Sequence, residues 1–94
     1  NIVALDLRNI NEAVADFFII CDADNHLLMD AIVRNVIKEV SLNTDEDPYH
    51  VEEGKVWSLI DYANIVVHVF HTEERKFYDL EGVWSDAGRM EFNS

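Results

Sequence analysis

Several groups of side chains in this sequence could do chemistry. Asp22-Ala23-Asp24 sets two carboxylates two residues apart at the end of an apolar run, Ala15–Cys21. Carboxylates at the end of a buried strand are where metal-dependent phosphoryl or nucleotidyl transfer holds its cations. The competing reading is a solvated strand-to-helix turn, with Asp24 or Asn25 capping the helix that follows. A nucleotidyl transferase would also need a Gly-Ser phosphate cradle and a third carboxylate, and no such pairing occurs. Asp45-Glu46-Asp47, just ahead of the only proline, reads as a solvated acidic loop. His68 and His71 would lie on opposite faces of a strand, which is wrong for shared metal ligation. His68 therefore reads as an inward or interface histidine. Cys21, the single cysteine, reads as a reduced, buried thiol of an intracellular protein. Ser58 and Ser85 lack the strand-turn-helix elbow of a nucleophile. No catalytic set, metal site or cofactor is expected.

The elements that must position these residues centre on Val56–Phe70. Val56–Tyr62 alternates, with Trp57, Leu59 and Asp61 on one face and Val56, Ser58, Ile60 and Tyr62 on the other. After a break at Ala63-Asn64, Ile65–Phe70 is apolar on both faces, as a strand covered on both sides would be. This hairpin is expected mid-sheet. Ile2–Arg8 alternates as an edge or half-covered strand, and Ala15–Cys21 reads as a central one. Asn25–Leu42 carries the clearest helical period, with Leu28, Met29, Ile32, Val33, Val36, Ile37 and Val40 on one stripe. Tyr49–Glu53 is a short strand. Thr72 is expected to cap one further helix, whose seam is Phe77, Leu80 and Trp84. Gly88 should end it, leaving Arg89–Ser94 as a tail. The order predicts an α/β fold bordering on α+β: a mixed sheet of about five strands with helices packed on it.

Composition bounds what remains. The chain's 94 residues suit one domain, and 49% apolar residues are too many for a disordered one. No apolar run is long enough to span a bilayer as a helix. A net charge of −12 argues against direct nucleic-acid binding and favours a basic protein surface as partner. The density of Trp57, Tyr62, Phe70, Phe77, Tyr78 and Trp84 after residue 56 suits core packing, or an interface where it is left uncovered.

Two segments resemble a known family, the Iojap or ribosomal silencing factor family. They are Trp57-Ser58-Leu59-Ile60-Asp61-Tyr62-Ala63-Asn64-Ile65-Val66-Val67-His68-Val69-Phe70 and Glu74–Ala87, with its Arg-Lys-Phe-Tyr-Asp-Leu-Glu-Gly-Val-Trp core. Val3–Arg8 and Ala15–Ile20 also match the family's opening strands. The resemblance implies a nucleotidyltransferase-like topology without the catalytic set, and no enzyme activity. It implies a factor that binds the large ribosomal subunit through the fourteenth protein of the large-subunit series, on the intersubunit face. There it would block subunit joining sterically and repress translation, in the bacterial cytoplasm or an organellar matrix. Trp57, Leu59, Asp61 and Tyr62 match the segment expected to contribute to the contact surface. His68, Arg75, Tyr78 and Trp84 match other signature positions, with Arg75 pairing to Glu81 as a structural alternative. A homodimer through the exposed sheet or hairpin face is a further expectation, and the same face could serve both partners. The runner-up is a metal-dependent nucleotidyltransferase-like enzyme using Asp22 and Asp24.

The sequence departs from the family pattern at three places. Cys21-Asp22-Ala23-Asp24-Asn25 replaces a Thr-Gly-Thr-Ser-like segment, so the Asp pair is peculiar to this chain. Ala63 stands where the family has Gly, and Asn64 is expected to take the left-handed turn conformation instead. The family's helix before the first strand is missing, and the opening at Asn1 suggests that the true N-terminus lies upstream.

Overall fold

Residues 1–92 are described by a computed structural model. The strands are β1 (Ile2–Asp6), β2 (Phe17–Ala23), β3 (His50–Glu52), β4 (Trp57–Asp61), β5 (Ile65–His71) and β6 (Gly88–Phe92). The helices are α1 (His26–Thr44), α2 (Thr72–Tyr78) and α3 (Leu80–Val83). The six strands form one mixed sheet in the order β3-β4-β5-β2-β1-β6. Among the described residues only β2 and β5 pair in parallel, from Phe17↔Ile65 to Ala23↔His71, and α1 belongs to the crossover between them.

Two apolar clusters cover the two faces. On one, Met29 and Val33 of α1 are fully buried against Ile60, Val67 and Val69. Ile32, Val36 and Ile37 extend the stripe as the helical period requires, while Leu28 is half exposed. Asn25 caps α1, its Oδ1 accepting the Leu28 amide at 2.9 Å. On the other face Val3, Leu5, Leu7, Phe18, Ile20, Val66 and Phe70 form the core, with Trp57, Leu59, Leu80 and Trp84 packed against it.

The structure corrects the sequence reading in five places. The tail after Gly88 is a sixth strand, with Met90 opposite Ala4 and Phe92 opposite Ile2; Asn93 and Ser94 lie outside the described residues. Its pairing moves β1 from the edge to the sheet interior. The buried strand runs Phe17–Ala23 because its register is set by β5, and Ala15 stays buried just outside it. The second helix breaks in two at Asp79, whose backbone is left-handed (φ 46°, ψ 56°). Asp79 ends α2 by donating its N–H to the Arg75 carbonyl at 3.0 Å, and opens α3 by accepting the Gly82 amide at 3.2 Å. A Cβ at Gly82 would collide with that carboxylate, so the helix-breaking glycine is what admits the cap. His71, and not Thr72, caps α2.

The turn between β4 and β5 also differs from expectation. Ala63 itself, with φ 71°, takes the left-handed conformation. The Asn64 amide bonds the Tyr62 carbonyl at 2.9 Å across it, and Asp61 Oδ1 accepts the Ala63 amide at 2.7 Å. A left-handed L-residue costs about 1–2 kcal/mol, less the entropy that glycine forfeits on folding. Ala63→Gly should therefore raise stability by about 1 kcal/mol. Urea unfolding of the two proteins measures it, and an unchanged midpoint would show that the turn is not strained.

Candidate functional site

The site builds outward from His68, which the sheet register places on the α2–α3 face beside Leu59 and Ile20. Its ring lies 4.6 Å from Phe18 and 5.8 Å from Trp57, and only 5% of the residue is exposed. The Trp57 indole N–H donates to His68 Nδ1 at 3.1 Å. Nδ1 is thus the unprotonated nitrogen, and the proton sits on Nε2, which has no partner among the described residues. Burial pushes the imidazole down to a pKa of about 4, so it is neutral near pH 7.

Trp57 is the hinge of the arrangement. One strand away, Phe70 is directly opposite it, and the two rings stack at 4.8 Å. Tyr78, the last residue of α2, packs on it at 4.9 Å. Phe77 meets Tyr78 edge-on at 5.3 Å and stands 78% exposed, with Tyr78 at 41%. The break at Asp79 sends Leu80 and Trp84 to the core while leaving Phe77 outside. A rigid aromatic base therefore carries two rings offered to solvent.

Arg75 fixes α2 in place. Its Nη1 donates to Asp22 Oδ1 at 3.1 Å and to the Asn1 carbonyl at 2.7 Å, and its Nη2 to Glu81 Oε2 at 3.1 Å. The three side chains are between 11% and 18% exposed. Beside them opens a cleft of about 420 Å³ at the carboxyl ends of β2 and β5, lined by Thr72, Lys76 and Asp79.

The sequence-predicted residues divide by face. Trp57, Leu59, His68, Tyr78 and Trp84 come together on the α2–α3 face. Arg75 supports that face from its rim, pairing with Glu81 as the structural reading anticipated and with Asp22 besides. Asp61 holds the turn, and Tyr62 packs with the α1 cluster on the opposite face. Tyr62 Oη is buried there without a partner among the described residues. Asp22 is committed to Arg75, while exposed Asp24 accepts from Asn25 Nδ2 at 3.3 Å. Among the described residues, no group of three or more His, Cys, Asp or Glu is placed to hold a metal ion. Burial raises the Cys21 thiol to about 11, a poor nucleophile at neutral pH. Phe77, expected on the helix seam because an uninterrupted helix would turn it inward, instead faces solvent.

No helix among the described residues is long and apolar enough to cross a membrane. Residues 1–94 match the family model described as ribosomal silencing factor during starvation. The ribosomal silencing factor of Bacillus subtilis is 38% identical over 92 residues, covering 93% of this chain and 74% of that one. The chloroplast Iojap protein of Zea mays is 33% identical over 79 residues, covering 80% of this chain and 33% of that protein. A crystal structure from Bacillus halodurans superimposes with a TM-score of 0.75 at 34% identity, covering 98% of this chain and 83% of its own. One from Chromobacterium violaceum gives 0.82 at 24% identity, covering all of this chain and 75% of its own, a likeness of fold. Its sequence signature and its six-stranded sheet agree: the chain belongs to the ribosomal silencing factor family.

Proposed function

We propose that this protein binds the large ribosomal subunit, through the fourteenth protein of the large-subunit series, and blocks subunit joining by occupying the joining surface. The observation that carries the contact assignment is the exposed Phe77–Tyr78 pair seated on Trp57. Rigid aromatic rings on a packed base lose little entropy on docking and are the usual energetic centre of an interface. In this reading Tyr78, Trp57 and Leu59 supply contact area, with Trp84 beneath them. His68 and Arg75 position the surface, Asp61 holds the turn at the far end of its strand, and Tyr62, on the opposite face, lies outside it. The net charge of −12 favours a basic protein partner. Steric occlusion needs no chemistry. The nucleotidyl-transfer alternative is disfavoured because Arg75 neutralises Asp22, one of the two carboxylates it requires.

Co-sedimentation with purified large subunits, followed by a subunit-joining assay, tests the proposal. Saturating protein should abolish joining, and normal joining would sink it. Tyr78→Ala and Phe77→Ala should each raise the dissociation constant about thirtyfold, the scale of an interface hot spot. Phe77 protrudes, so its variant should melt nearly as the wild type does. Tyr78→Ala also loses packing on Trp57 and should melt somewhat lower while staying folded at the assay temperature. Unchanged affinity in both variants would relocate the contact surface.

A further inference from the structure

We infer, resting on the large-subunit reading of this surface, that Phe77 with Glu73 and Glu74 forms a clamp for one arginine side chain of the partner. Phe77 is exposed, and its one ring contact among the described residues is edge-on to Tyr78. Most of the ring is therefore free to meet another molecule. Residues three and four apart share a face of a helix, and a helical side chain leans back over the turn before it. Phe77 thus leans over the turn that carries Glu73 and Glu74. Glu73 is exposed and Glu74 half-buried, and neither enters an ion pair among the described residues. The face of an aromatic ring and a carboxylate attract the same thing, a cation. An apolar surface laid on Phe77 would strip water from the neighbouring carboxylates and return nothing to them, a cost that a cation removes. A guanidinium serves both parts at once: it lies flat on a ring while its edge donates in pairs to a carboxylate. An ammonium is a compact, strongly hydrated charge that cannot do both.

The chain builds the closed form of such a clamp within itself. Asp6 faces Phe17 across β1 and β2, and the Arg8 guanidinium lies over the Phe17 ring at 5.0 Å. Its Nε and Nη2 donate to the Asp6 carboxylate at 2.9 and 2.7 Å. Ring, carboxylate and guanidinium assemble there as one surface unit. Phe77 has the ring and the carboxylates, and the chain's own cations do not complete the set. Arg75, two residues earlier and so on another side of α2, is committed to Asp22 and Glu81. Lys76 lies over no ring: among the described residues Arg8 on Phe17 is the one cation–π contact. An arginine from a basic partner surface supplies what the Phe77 end of α2 is shaped to hold.

Affinity for purified large subunits tests the clamp. Phe77→Leu keeps apolar bulk but removes the π face, and should raise the dissociation constant about fivefold, while Phe77→Trp should bind at least as tightly as the wild type. Glu73→Gln with Glu74→Gln should also weaken binding about fivefold at low salt and flatten its dependence on potassium chloride. Because ring and carboxylates hold one cation, the triple variant should lose no more than about tenfold, short of the product of the two losses. Benzoylphenylalanine at position 77 should photo-crosslink to a protein segment that carries an arginine. Wild-type affinity in Phe77→Leu, losses that multiply in the triple variant, or crosslinks only to RNA or to a segment without arginine would each overturn the clamp. Two failures are told apart by the alanine variants. If Phe77→Ala weakens binding and Phe77→Leu does not, the ring is an apolar contact, and the clamp falls while the large-subunit reading stands. If Phe77→Ala and Tyr78→Ala both bind as the wild type does, that reading of the surface falls and takes the clamp with it.

Discussion

Arg75→Ala should lower stability by about 3 kcal/mol, enough to move the melting temperature of a domain this size by about 15 °C. The side chain joins four pieces of chain, two of them more than 50 residues away in sequence. It sits in α2 and reaches Asp22 at the end of β2, Glu81 in α3 and the Asn1 carbonyl at the entry to β1. Both carboxylates are mostly buried, at 18% and 14% exposed. Removing the guanidinium leaves two like charges facing each other without a cation, and the large cost of breaking a buried ion pair lies in that residue of unpaired charge. Partial exposure of the group holds the loss at the lower end of the range for buried pairs. Arg75→Lys should recover only part of it, because one ammonium cannot span three acceptors on three segments. Neutralising the orphans should repair the damage differently: Asp22→Asn with Glu81→Gln in the Arg75→Met background should regain more than half of the loss. Urea unfolding of the series measures each step. A loss below about 1 kcal/mol for Arg75→Ala would show that the network behaves as a solvent-screened surface pair.

Arg75 also shows how far the sequence could be read. Its pairing with Glu81 six residues on was within reach, because both would lie near one helix. Its bond to Asp22 spans 53 residues and depends on the parallel pairing of β2 with β5, which no local pattern encodes. The hairpin at Val56–Phe70 was legible because strict alternation fixes which side chains share a face, and Trp57, Leu59 and the Ser58–Ile60 pair fall where that period puts them. α1 was legible for the same reason at a longer period. The break at Asp79 was not: a left-handed residue inside a helical pattern depends on one side-chain cap and the absence of one Cβ, and period-based reading passes over both. Phe77 was consequently assigned to the core and is instead the most exposed ring of the site. β6 had a period-two signal in Arg89-Met90-Glu91-Phe92, but its partner is β1 at the far end of the chain, and without that partner five residues after a glycine look like a tail. The left-handed turn residue was displaced by one position, because Asp61 caps the Ala63 amide and so fixes Ala63, and not Asn64, in the strained conformation.

The pH dependence of stability should carry a component of about 3 kcal/mol from His68 alone. In the folded chain its pKa is held near 4 against an ordinary 6.5, because burial among Phe18, Trp57 and Phe70 disfavours the imidazolium. The sign follows from which state binds the proton. Between pH 6.5 and 4 the unfolded chain is protonated at this site and the folded one is not, so acid favours unfolding. The contribution is whole above pH 6.5, falls steadily as the pH drops, and is exhausted near pH 4. Asp6, held near 2 by its bonds to Arg8, acts only in a lower window, below its ordinary 3.8, so the two are separable. Urea unfolding at half-unit steps from pH 7.5 to 4 gives the profile. His68→Leu should be less stable at pH 7, because the Trp57 indole loses its acceptor, yet its profile should be flatter across this window. Trp57→Phe should lower stability at pH 7 by about 1–2 kcal/mol, leaving Nδ1 buried and unpartnered while the slope persists. Parallel profiles for wild type and His68→Leu would mean that the buried imidazole finds a way to charge without unfolding. The slope matters for the site because the nitrogen that must stay unprotonated is the one that holds the indole. Protonating Nδ1 removes the acceptor that fixes Trp57, and Trp57 is the base on which Tyr78 and Phe77 are presented.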